Sequence, residues 1–373
     1  MGSSAGGKSP LPRRAPDGLA LPIPGRTGYI ARRMARLSVE FSTLKLRNPI
    51  LSASGTYGHG VEMQHIVPPT LLGGLVSKTV TLKPRPGNPL PRICETEAGF
   101  LNSIGLENRG VEAYRRDVLP QMARAGTCVI TNIGGEKVED FEELARMLDC
   151  ESAIHAFEVN LSCPNVQEGK LPFATDPKMA ARVIEKVRAA TKKPVFAKLS
   201  PNVSRLSDLA LAVEAGGAHG ITAVNTVLGM KIDWRTRKPG LFTVQGGYSG
   251  VAIKPIALRC AWECARSVKI PVIGCGGITC AADVLEFLVA GCSAVQVGTA
   301  SFGDPALIGR LPAELEALLD AEHIADVREL IGSLVIPRAP APSEKVAPAA
   351  ANAARGPREG LDAANALGGA TSS

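Results

Sequence analysis

Apolar and β-branched residues gather in eight short runs: 49–52, 74–78, 128–132, 157–161, 195–199, 220–225, 272–276 and 294–298. Each has the length and near-continuous apolarity of a strand buried on both faces. Between them, residues 177–191, 206–215, 253–268 and 281–290 carry apolar side chains at i, i+3 and i+4, the spacing of a helix with one stripe against a core. Strands alternating with crossover helices predict an α/β fold, a single (β/α)8 TIM barrel over residues 36–335.

Polar or glycine residues stand at the ends of these runs: Ser54, Lys78, Asn132, Asn160, Lys198, Asn225, Gly276 with Gly277, and Gly298 with Thr299. In a barrel, chemistry resides on the face where the strands end. Asn and Ser also cap helices, so one such residue carries little weight, whereas eight in succession mark a functional face. Long connections at about 79–111 and 226–252 exceed the usual length and are expected to cover that face. The second contains Gly246-Gly247-Tyr248-Ser249-Gly250, where glycines would let backbone approach a ligand closely.

An apolar fraction of 45% is ample for a large core, and 39 glycines with 28 prolines suit many tight turns. The net charge of +7 is uneven. Lys8, Arg13, Arg14, Arg26, Arg32 and Arg33 face Asp17 alone, so five of the seven surplus charges lie in residues 1–33. The remaining body is nearly neutral and only 4% of residues are aromatic, which argues against a nucleic-acid partner. Residues 1–35 read as a disordered tail, with 1–33 lying upstream of a start at Met34, and 336–373 as an Ala/Pro/Gly-rich one. Nine cysteines without a paired framework or a metal-ligand spacing fit a reducing, cytoplasmic setting, and no apolar run is long enough to span a membrane.

Gly274-Cys275-Gly276-Gly277-Ile278 and Gly298-Thr299-Ala300 follow the seventh and eighth runs, where many barrels bind phosphate through backbone N–H groups. Tight turns alone would also use such glycines. No GxGxxG opens a helix after a first strand, so a phosphate-bearing cofactor is expected and a Rossmann domain is not. Cys163 sits in a polar loop between Asn160 and Asn165, unlike structural cysteines, which lie within apolar runs. None of His59, His65, His155, His219 and His323 is near it in sequence, which favours a base over an acyl-transfer nucleophile.

Asn160-Leu-Ser-Cys-Pro-Asn165 resembles the active-site loop of class 1 dihydroorotate dehydrogenases, and further matches cover nearly all of residues 36–305. Ala53-Ser-Gly55 resembles the family's first FMN-contacting turn. Ser77-Lys-Thr79, with Pro84-Arg85, Gly87-Asn-Pro89 and Pro91-Arg92 downstream, resembles its second. Asn102-Ser-Ile-Gly-Leu106 is similar to the orotate-binding segment and Asn225-Thr226 to its second half. The resemblance implies that Cys163 removes the C5 proton of dihydroorotate while the C6 hydride passes to FMN, a step of de novo pyrimidine biosynthesis. It assigns substrate contacts to Lys78, Asn102, Ser103, Ile104, Gly105, Leu106, Asn160, Asn165, Asn225 and Thr226. Flavin contacts fall to Ser54, Gly55, Lys78, Thr79, Asn132, Asn160, Lys198, Val224 and Gly250, and the ribityl phosphate to Gly276, Gly277, Gly298 and Thr299. No metal ligand is implied.

Class 2 relatives use serine as base and carry a membrane-binding region, which Cys163 and the polar tail do not match. Leu228-Gly-Met-Lys-Ile-Asp233 and Ser249-Gly-Val-Ala-Ile-Lys-Pro255 look like class 1B, which passes electrons through a separate subunit bearing FAD and a 2Fe-2S cluster, in a heterotetramer, to NAD. A dihydropyrimidine dehydrogenase subunit shares the cysteine loop but has a histidine after its Cys-Pro pair, where Asn165 stands here. A barrel that holds FMN without turnover is the alternative outside catalysis.

Overall fold

A computed structural model describes residues 34–162 and 174–337. Cys163, Asn165 and the tails up to residue 33 and from 338 on, with their expected disorder, lie outside the described residues; Ala35, expected in the first tail, is instead buried in the core. The barrel belongs to a unit ending at Leu334, and Val335 onward is a separate unit.

The strands β1 (Ile50–Ser52), β2 (Gly74–Val76), β3 (Cys128–Ile133), β4 (Ala156–Asn160), β5 (Val195–Leu199), β6 (Gly220–Ala223), β7 (Val272–Cys275) and β8 (Ala294–Val297) form a closed barrel in chain order. Every pairing in it is parallel, and β8 closes on β1 through Val295 opposite Ile50. All residues of β4 and β5 are buried, as expected for strands with side chains inside the barrel and helices outside. The expected runs are therefore strands, but 74–78 and 220–225 leave the ladder early. Ser77 and Asn225 still donate their N–H groups to Ile130 O and Leu199 O, so the chain turns over the barrel end without losing its backbone bonds.

Around the barrel stand α1 (Val138–Leu148), α2 (Pro177–Ala190), α3 (Leu206–Ala215), α4 (Lys254–Ser267), α5 (Ala281–Val289) and α6 (Leu307–Ala321). In α2, Ala180, Val183, Ile184 and Val187 form the buried stripe. Asp176 caps this helix by accepting from Lys178 N at 2.9 Å, and Pro177 occupies the first turn, where its missing N–H costs nothing. The sequence pattern had not singled out α1, α6 or the helical stretch 110–122. The last is interrupted by a π-helical segment, Tyr114–Val118, which shifts the register of its apolar stripe. A hairpin of Val39–Phe41 and Leu44–Leu46 closes the opposite end of the barrel, its Phe41 ring edge-on to Phe196 at 4.8 Å. Among the described residues no helix is long and apolar enough to cross a membrane.

The two long connections are not irregular. Ile93–Thr96 and Gly99–Asn102, from the connection after β2, join Gln245–Ser249 and Val227–Met230, from the one after β6, in a four-stranded antiparallel sheet. This corrects the expectation for Gly246 and Gly247: their close neighbours are protein. A Cβ on Gly246 would stand 2.5 Å from the Asn102 carbonyl oxygen, and one on Gly247 would collide with the Thr226 side chain. Gly246 lets the two connections pair tightly, and Gly247 makes room for Thr226 of its own connection.

Candidate active site

Strand ends and the four-stranded sheet together line a cavity of about 780 Å³. From the barrel come Ser54, Gly55, Lys78, Thr79, Asn132, Asn160, Lys198, Val224, Asn225 and Thr226, all expected from the sequence. Gly276, Gly277, Gly298 and Thr299 contribute from the turns after β7 and β8, and Asn102, Ile104, Leu106 and Gly250 from the long connections. Ser103 and Gly105 are not on its wall. Asn88 donates through Nδ2 to Ser103 Oγ at 2.8 Å, and a Cβ on Gly105 would meet Asn88 at 2.7 Å. Those two residues fold their segment against Asn88 rather than presenting side chains to the cavity.

The centre of the site is a buried ion pair. Lys198 Nζ lies 3.6 Å from Glu158 Oε1, and the Glu158 side chain is wholly inaccessible to solvent. Glu158 Oε1 accepts from Asn132 Nδ2 at 2.7 Å, while Oε2 accepts from Thr222 Oγ1 at 2.7 Å and from Gln296 Nε2 at 2.5 Å. Lys198 donates to Gln296 Oε1 at 3.1 Å. Burying two charges is costly unless their remaining valences are filled, and here three neutral donors fill those of the carboxylate. Burial alone would depress the Lys198 ammonium; Glu158 outweighs it, and the group is held above its ordinary value.

A carboxylate accepts and an ammonium donates, so the amide orientations follow. Gln296 must turn its nitrogen to Glu158 and its oxygen to Lys198. Asn132 must likewise give Nδ2 to Glu158, which leaves Oδ1 buried without a partner on a cavity-lining residue. An unmatched buried acceptor is costly, and a bound heterocycle with a ring N–H would satisfy it.

Asparagines form a second group. Asn160 donates to Thr79 Oγ1 at 3.3 Å and its Oδ1 accepts from Ser162 N at 3.2 Å and from Asn225 Nδ2 at 3.5 Å. Asn102 Nδ2 donates to Gly247 O at 3.1 Å, which ties the sheet to the site. On the other side, Gly276 and Gly277 adopt φ of 130° and 77°. A Cβ on Gly277 would stand 2.6 Å from Lys254 Cα, so only glycine lets this turn sit against the first residue of α4.

Glu158, Gln296 and Thr222 were missed in the sequence. A charged residue inside an otherwise apolar strand was the available signal for Glu158, because carboxylates are almost never fully buried unless paired. Gln296 in β8 carried the same signal in weaker form. Phe100 and Phe302, whose rings meet edge-on at 5.6 Å, also line the cavity and had no sequence signature.

The dihydroorotate dehydrogenase family model matches residues 36–319. A Geobacter sulfurreducens protein named dihydroorotate dehydrogenase B (NAD(+)), catalytic subunit, is 49% identical over 300 residues, 80% of this chain and 98% of that protein. Its namesake from Trichlorobacter lovleyi is 48% identical over 298 residues, with 80% and 98% covered. A crystal structure of DHODH from Eimeria tenella in complex with ferulenol superposes with a TM-score of 0.66 at 20% identity, covering 82% of this chain and 90% of that one, a likeness of fold alone. With a matching family model over most of its length and near-half identity to full-length relatives, the chain belongs to the dihydroorotate dehydrogenase family, on the branch of the class 1B catalytic subunits.

Proposed function

We propose that this protein is the catalytic subunit of an NAD-linked dihydroorotate dehydrogenase, with FMN and dihydroorotate bound together in the 780 Å³ cavity. The observation that carries this reading is the convergence on one cavity of Lys198 and the amide residues Asn102, Asn132, Asn160 and Asn225. Amide side chains offer both a donor and an acceptor, which matches the alternating edge of a pyrimidine ring. Lys78 supplies a cation for the substrate carboxylate.

FMN, when bound, supplies the two-electron acceptor for the substrate hydride. Asn132 and Lys198 would hold its ring, and the Lys198 ammonium would stabilise the negative charge that develops there on reduction. Gly276, Gly277, Gly298 and Thr299 receive its phosphate on backbone N–H groups. Cys163 takes the C5 proton of dihydroorotate, and Asn165 joins the substrate set. Both follow closely in sequence on β4, whose last residue, Asn160, lines the cavity. Electrons then pass to a partner subunit carrying FAD and a 2Fe-2S cluster, in a heterotetramer, and to NAD; the relatives' designation as catalytic subunits supports a separate partner.

The test is direct. Purified protein should be yellow, and anaerobic dihydroorotate should bleach it while dihydrouracil does not. Bleaching by dihydrouracil would favour the dihydropyrimidine reading, and a bound flavin indifferent to both would favour a scaffold.

A further inference from the structure

We propose that Glu158 is a positioning residue that tempers the charge of Lys198 and so holds the reduction potential of the bound flavin low. The inference rests on the flavin assignment above.

Glu158 is not on the cavity wall, yet three of its four partners are: Asn132, Lys198 and Gln296. It therefore acts on whatever fills the cavity only through them. Its first effect is orientation. By taking Nδ2 of Asn132 and Nε2 of Gln296 it fixes both amides and presents the Gln296 oxygen to Lys198 at 3.1 Å. Its second effect is charge. A lone buried ammonium beside the ring would strongly favour the two-electron reduced form, which carries more negative charge than the oxidised one. A carboxylate 3.6 Å from that ammonium, in a region closed to water, offsets much of the field. The pair leaves a site that accepts a hydride but does not trap it, as suits a subunit that must pass electrons on.

The partition of roles is visible in the geometry. Thr222 touches Glu158 on Oε2 but does not line the cavity, so it supports the carboxylate without adding charge. Replacing Thr222 removes one neutral hydrogen bond and leaves the ion pair; replacing Glu158 with glutamine removes the negative charge and keeps the shape.

The experiment compares the flavin midpoint potential of the wild-type holoprotein with those of Glu158→Gln and Thr222→Val, by anaerobic equilibration with a reference dye. Glu158→Gln should shift the equilibrium toward reduced flavin at least tenfold, which for a two-electron couple is about 30 mV. Thr222→Val should shift it by less, or the other way. An unchanged or lowered midpoint in Glu158→Gln, or an equal rise in Thr222→Val, would overturn the proposal. If Glu158→Gln holds no flavin, Glu158→Asp decides: its charge is drawn one methylene from Lys198, and a smaller rise is expected. No rise there, or loss of flavin from both variants, marks Glu158 as purely structural. Wild-type protein unable to take up FMN would instead defeat the functional assignment on which this rests.

Discussion

Asp283 closes the turn after β7. Its Oδ2 accepts from Thr279 N at 2.7 Å, Thr279 Oγ1 at 2.8 Å and Cys280 N at 3.2 Å, and Oδ1 meets Lys254 Nζ at 2.6 Å. Burial would raise this carboxyl, but Lys254 and the Thr279 donors outweigh it and hold the group below its ordinary value. A depressed folded value means that the stabilisation is present above the unfolded aspartate range and is lost as pH falls through it. Asp283→Asn should therefore cost about 1–2 kcal/mol at neutral pH, as for loss of a helix cap. In thermal unfolding, its deficit against wild type should be constant from about pH 8 to about pH 5 and narrow in stronger acid. A deficit that widened in acid would reverse the sign argued here. Because the same turn carries Gly276 and Gly277, FMN should dissociate more readily from this variant. Cys163→Ala should behave oppositely: flavin is retained, because the phosphate turns are untouched, but its reduction by dihydroorotate slows by about 10²–10⁴ for loss of a general base. Single-turnover stopped flow reads this, and wild-type speed would remove Cys163 from the mechanism.

At the scale of elements, what the sequence reveals divides along physical lines. The eight barrel strands were legible because a strand buried on both faces must be apolar nearly throughout, and a polar residue at or beside its end breaks that run. Asn132, Asn160 and Lys198 were found by that break. The four-stranded sheet was not legible. Its strand Gln245–Ser249 contains Gly246 and Gly247, residues that ordinarily argue against a strand, and one of its two partners, Gly99–Asn102, lies more than 100 residues away in sequence. What the pattern could not express is that Gly246 serves a close approach to the Asn102 backbone and Gly247 one to the Thr226 side chain. The consequence can be tested at Gly246, whose added Cβ would stand 2.5 Å from a backbone oxygen of Asn102 that no side-chain rotation can move. Gly246→Ala should push the strand Gly99–Asn102 aside, at a cost of about 1–3 kcal/mol for overpacking. Asn102 lines the cavity from that strand, so the Michaelis constant for dihydroorotate should rise in a dye-linked assay while FMN stays bound through the distant turns. Equal loss of flavin and substrate affinity would show that the sheet holds the whole site rather than its substrate half.

For the molecule as a whole, the question is where electrons leave. The cavity is bounded below by the barrel and above by the sheet made from its two long connections, and its volume of about 780 Å³ falls in the ordinary range of small-molecule sites, where the proposed flavin mononucleotide and pyrimidine would lie together. With both in place a nicotinamide dinucleotide is not expected to enter as well, so electrons taken up by the proposed flavin would have to leave through a docked relay. The isolated chain is accordingly expected to reduce dyes or oxygen with dihydroorotate but not NAD, and to gain NAD reduction when the FAD and iron–sulfur subunit is added. Docking should rest on apolar contact. The surplus charge lies mostly in residues 1–33, while Leu228, Met230 and Ile232, on and beside the outer strand of the sheet, are all more than half exposed. Apolar association loses little to added salt, whereas contacts between exposed charges fade within a Debye length of about 8 Å at physiological ionic strength. The measurement is NAD reduction by mixtures of the two subunits across a salt series. Half-maximal partner concentration should change by less than about threefold between low and moderate salt, against the one to three decades open to steered association. Robust NAD reduction by the chain alone would exclude a relay subunit, and fumarate turnover equal to that with dyes would move the protein to a fumarate-linked class.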